Sequence, residues 1–195
     1  MPQLTATTLP GVTVGYDYND TYLATAVTLT HSPVQASWIG FGLYWATVTY
    51  NVGFEMNGDV TLSYWNGTHG GICDLYLNSP TDVRRSGSDP PAVDPTNNLI
   101  LVATSSDSSS WTVEFLKPIN PGDAHDQQIF LNQPQNIFFA VNPNDLINPS
   151  CVMTISDAHW PKGGPGYFVP NFSFAQQCKK KKKILSITTT SFIQF

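Results

Sequence analysis

The sequence predicts an all-β chain folded as a sandwich of two packed antiparallel sheets, and three observations carry that expectation. No segment repeats apolar residues at i, i+3, i+4 and i+7 through three helical turns. The apolar runs are short and rich in β-branched and aromatic residues. Between them stand clusters drawn from 14 glycines and 15 prolines, with Asn and Asp, the residues that make turns. Short strands punctuated in this way are the pattern of a β-sandwich.

Along the chain, Tyr22 to Thr30 alternates, with Leu23, Val27 and Leu29 on one face and Ala24, Ala26 and Thr28 on the other. Trp38 to Trp45 is apolar at both parities, which predicts a strand buried between layers. Val60, Leu62 and Tyr64 alternate with Thr61, Ser63 and Trp65, and this predicts one wet face. Trp111, Val113 and Phe115 alternate with Thr112, Glu114 and Leu116 in the same sense. Ile137 to Val141 is again apolar on both parities. The turn-forming clusters at Asn78 to Asn98, Asn120 to Asp126 and Asn142 to Pro149 are expected to be loops. No internal repeat of fixed period is present.

At 195 residues, 41% apolar and 12% aromatic, the chain suits one globular domain. Only 12% of residues are charged, about half the usual share, which argues against a long-helix protein. The net charge of −5 hides a division, because five of the nine cations are the run Lys179 to Lys183. The first 178 residues carry four cations (Arg84, Arg85, Lys117, Lys162) against all fourteen acids, a net of −10. Such a body repels nucleic acid, and an anionic membrane surface would attract only the lysine run. A domain boundary is expected there, giving a folded body over 1–178 and a Lys-rich, disordered tail over 179–195. No stretch reaches the 18 or so apolar residues of a membrane helix.

Three sequons, at Asn19, Asn66 and Asn171, favour an extracellular or luminal location. The start, Met1 to Gly11, has no basic n-region and no apolar h-region, so no signal peptide is legible, and either the protein is intracellular or the start is trimmed or misassigned. The three cysteines (Cys73, Cys151, Cys178) show no zinc spacing, and one bridge with one thiol left over is the simplest oxidised arrangement. GxSxG, HExxH, P-loop, EF-hand and GxGxxG patterns are absent. Nothing in the local sequence around the four histidines supports a catalytic triad.

Three blocks change what the residues imply. Trp38-Ile39-Gly40-Phe41-Gly42-Leu43 is followed by Met56-Asn57-Gly58-Asp59-Val60. Trp111 to Ile119 runs into Gly122-Asp123-Ala124-His125-Asp126. Ile137-Phe138-Phe139-Ala140-Val141 leads to Asp157-Ala158-His159-Trp160-Pro161-Lys162-Gly163-Gly164. In this order, over about residues 10 to 170, they resemble the motifs of the DOMON domain family.

The resemblance implies an immunoglobulin-like β-sandwich. It also implies a non-covalent haem b held between a methionine of the first block and a histidine of the last, here Met56 and His159. Taken singly, the methionine would read as core filler and the histidine as a hydrogen-bonded structural residue. As a pair they are two neutral axial donors that fill both open positions on iron, so the centre would pass single electrons and not turn over a substrate. Phe54, Trp160 and Tyr167, with Phe168, would wall the porphyrin, and Gly58 would let it approach the backbone. In that arrangement Asp157 would accept the second imidazole N–H of His159. The absence of CxxCH excludes covalent c-type attachment. The implied partner is a separate redox protein, or a fused membrane cytochrome or flavoprotein domain.

Some DOMON domains are haem-free and bind carbohydrate. In that alternative Trp45, Trp65 or Trp160 would be the stacking platform. Asp123 and Asp126, three apart in a Pro-Gly loop, are expected to fix a turn, with calcium the lesser alternative, and His125 between them to face solvent.

Overall fold

The computed structural model describes residues 3–5, 11–30, 36–44, 56–79, 92–131, 133–142, 150–151 and 167–174. Among them the strands are β1 (Gln3–Thr5), β2 (Val12–Tyr18), β3 (Tyr22–Thr30), β4 (Ser37–Tyr44), β5 (Met56–Trp65) and β6 (Gly70–Ser79). They continue as β7 (Ala92–Val93), β8 (Ile100–Ser106), β9 (Ser110–Pro118), β10 (Gln135–Asn142) and β11 (Tyr167–Phe172). Every pairing is antiparallel, and the strands form a five-stranded sheet, β1-β2-β3-β9-β8, and a six-stranded sheet, β11-β10-β4-β5-β6-β7. The fold is the predicted β-sandwich.

The alternating strands behave as their period requires. Along β3, Leu23, Thr25, Val27 and Leu29 are buried, and along β9 so are Trp111, Val113 and Phe115, while Ala24, Ala26, Thr28, Thr112 and Glu114 are half-exposed. The buried apolar side chains meet Ile39, Phe41 and Leu43 of β4 and Ile137, Phe139 and Val141 of β10 in one core. Each large apolar side chain so buried contributes about 1.5–3 kcal/mol, so this contact dominates the packing of the two layers. A polar link also crosses it, from Trp111 Nε1 to Ser37 Oγ at 2.7 Å.

Val60, Leu62 and Tyr64 do not alternate with a wet face. Both parities of β5 are buried, with Thr61, Ser63 and Trp65 toward the core and Val60, Leu62 and Tyr64 on the far side. Trp38, Cys73 and Leu75 share that far side and are also buried, so the outer face is covered over β4, β5 and β6. The alternation was real, but it separated two buried environments of different polarity. A Cys73–Cys151 disulfide joins β6 to the segment that precedes β11.

The edge strand β8 lies in the open, with Ile100, Leu101 and Val102 all exposed. A register shift between Leu101 and Ala103 leaves Val102 unpaired in the ladder, a bulge of the kind that blunts a sheet edge.

Candidate functional site

The first motif block and the opening of the third fall on three adjacent strands. Trp38 to Leu43 lies on β4, which pairs with β5 on one side, Gly42 opposite Val60, and with β10 on the other, Leu43 opposite Ile137. Met56 opens β5 opposite Ser79, and Gly58 is buried opposite Tyr44 and Leu77. Tyr167 opens β11 opposite Phe139. The side chains of Met56 and Tyr167, and Phe54, Asp157, His159 and Trp160 altogether, lie outside the described residues, as do Trp45, the tail from Lys179 and Cys178. Trp65 is 7% exposed and packs in the core, so it is no platform for a sugar.

Between the sheets the core side chains of the described residues pack against one another. The cavity there measures about 10 Å³ and is lined by residues such as Tyr16, Phe41, Phe139 and Phe174. That is room for about one water and none for a porphyrin. A haem would have to stand outside the core bounded by these described residues.

Where β9 ends beside the start of β5, the structure assembles a charged cluster. Lys117 continues the inward parity of Trp111, Val113 and Phe115 and is 2% exposed. Its Nζ lies 2.9 Å from Asp59 Oδ1 on β5, 3.1 Å from Asp126 Oδ1 and 3.9 Å from Asp74 Oδ1 on β6. The carboxylates are held from behind: Asp59 Oδ2 accepts the Gln127 N–H at 3.0 Å, and Asp74 Oδ2 accepts the Asn98 N–H at 2.9 Å. The Asn98 side-chain amide donates to both Asp123 and Asp126.

One ammonium cannot balance three buried carboxylates. Burial, reinforced by the charge of Asp126, pushes the Asp59 carboxyl up to about 7 despite Lys117, and burial pushes Asp74 up to about 6. Burial alone would lower Lys117, but the charges of Asp59, Asp74 and Asp126 raise it above the ordinary lysine value. A lysine held protonated is no nucleophile. The cluster is therefore a clamp between the two sheets, and excess charge is relieved by a proton on the carboxylates.

Asp123 makes the expected turn, its Oδ1 accepting the N–H groups of His125 and Asp126 at 3.0 Å each. These donors outweigh its slight burial and hold its carboxyl below the usual value. Asp126 does more than shape the turn, since it reaches Lys117. His125 is 37% exposed and stacks on Tyr76 with ring centroids 4.1 Å apart, so it faces solvent only in part.

No family model and no curated protein matches the sequence. Among solved structures the fold is similar to the cytochrome domain of cellobiose dehydrogenase from Myriococcum thermophilum, with a TM-score of 0.56 and 10% identity, over 90% of this chain and 88% of that one. The likeness is one of fold. No helix among the described residues is long and apolar enough to cross a membrane.

Proposed function

We propose that the chain is an electron-transfer domain that holds one haem b through Met56 and His159. The observation that carries this reading is the fold shared with a cytochrome domain over nine-tenths of the chain, combined with the placement of the first motif block on neighbouring strands of one sheet. The donor set fits: thioether and imidazole are neutral, and together they leave iron no open position. When bound, the haem supplies reversible one-electron transfer at a potential raised by the methionine.

The chain's own residues would supply binding and exclusion of water. Met56 stands at the first position of β5, opposite Ser79 of β6. Gly58 leaves the strand without a side chain two residues further on, where a flat ring could lie against backbone. The haem-walling roles of Phe54, Trp160 and Tyr167, an extracellular or luminal site of action and a separate redox partner belong to the same reading.

The test is haemin titration of the purified full chain. Saturation at one equivalent with a six-coordinate low-spin spectrum is expected. Uptake that never saturates, or a high-spin spectrum throughout, would overturn the proposal.

A further inference from the structure

We propose that Asp94, Asp123 and His125 bind one divalent transition-metal ion of borderline hardness, with Zn²⁺ the best fit. The three residues come from two places, Asp94 from the turn after β7 and the other two from the loop after β9. One ligand atom from each lies within 4.8 Å of the other two.

The independent sign of a ligand is Asp94. Its side chain is 1% exposed, and its Oδ1 accepts the Thr96 N–H at 2.7 Å. Its Oδ2 is buried with no hydrogen-bond donor among the described residues. A buried carboxylate oxygen left in this way is costly unless a cation faces it. His125 Nδ1 lies 3.7 Å from that oxygen, beyond hydrogen-bond reach. That gap is close to the ~3.3 Å edge of a tetrahedron with metal–ligand bonds of about 2.0–2.1 Å.

The rest of the site is already positioned. Stacking on Tyr76 holds the imidazole, and two backbone N–H groups hold Asp123. Charge argues the same way. Asp59, Asp74 and Asp126 already share Lys117, and Asp94 and Asp123 add two more carboxylates beside them. Two carboxylates with one imidazole suit Zn²⁺ or Mn²⁺ better than Ca²⁺ or Mg²⁺, which take oxygen ligands. Bound there, the ion would tie the edge of the six-stranded sheet to the loop leaving the five-stranded one.

The experiment is calorimetric titration of the chelator-treated full chain with ZnCl₂ and separately with CaCl₂, with thermal unfolding as a second readout. One Zn²⁺ should bind, at least tenfold tighter than Ca²⁺, and raise the unfolding temperature. Asp94→Asn and His125→Ala should each weaken Zn²⁺ at least tenfold. His125 is partly exposed, so its variant tests the site even if Asp94→Asn fails to fold. Absence of Zn²⁺ uptake, Ca²⁺ binding as tight as Zn²⁺, or Zn²⁺ binding unchanged in His125→Ala would each overturn the proposal.

Discussion

Lys117 Nζ lies 2.9 Å from Asp59 Oδ1, and this contact joins the two sheets of the sandwich through side chains that are 2% and 1% exposed. Breaking a buried pair from one side leaves the other charge without compensation, which costs more than the pair contributes.

Lys117→Met should therefore lower unfolding free energy by about 3–5 kcal/mol in urea titrations, because three carboxylates lose their shared cation. Adding Asp59→Asn to that variant should recover part of the loss, giving a coupling energy above about 1 kcal/mol. Strictly additive effects would mean that the two groups do not interact.

The pH dependence follows from the raised carboxyl. Burial raises the Asp59 carboxyl from its ordinary 3.8 to about 7 in the folded chain. Between these values the folded state binds more protons than the unfolded one, so this group's stabilisation is complete below about pH 4 and is lost as pH rises through 7. In chelator, stability measured from pH 5 to pH 8 should fall more steeply for the parent than for Asp59→Asn. Lys117, raised above its ordinary value, adds a second loss in strong alkali.

The Cys73–Cys151 bridge spans 78 residues of sequence. Chain-entropy arithmetic for a loop of that length gives about 4.5 kcal/mol. Cys151→Ser should cost about 2–5 kcal/mol, and peptide mapping without reductant should recover Cys73 linked to Cys151. A Cys151–Cys178 linkage would contradict the structure.

Strand periodicity made most of the fold legible. β3 and β9 were readable because one of their faces meets the core and the other meets water, so hydrophobicity tracks burial. β5 misled because its second face is also buried, and Thr61 and Ser63 lie inside although they look like solvent-facing residues. Pairing of the cysteines was not legible, since spacing along the chain does not encode proximity in space.

The buried cluster has a sign in the strand parities. Lys117 follows Trp111, Val113 and Phe115 at the same parity, and Asp59 shares the inward parity of Thr61, Ser63 and Trp65. Two opposite charges on inward positions of different strands suggest a pair across a core. That they belong together depended on which strand ends meet, which only the three-dimensional arrangement provides. The candidate haem ligands, by contrast, rest on motif order, which periodicity does not encode.

The most direct measurement is the visible spectrum of the haemin-loaded full chain compared with Met56→Ala, His159→Ala and, as a control, Met153→Ala. The parent and the control should share a six-coordinate low-spin spectrum, which each ligand variant should lose. If both ligand variants keep the parent spectrum, iron is not held by Met56 and His159.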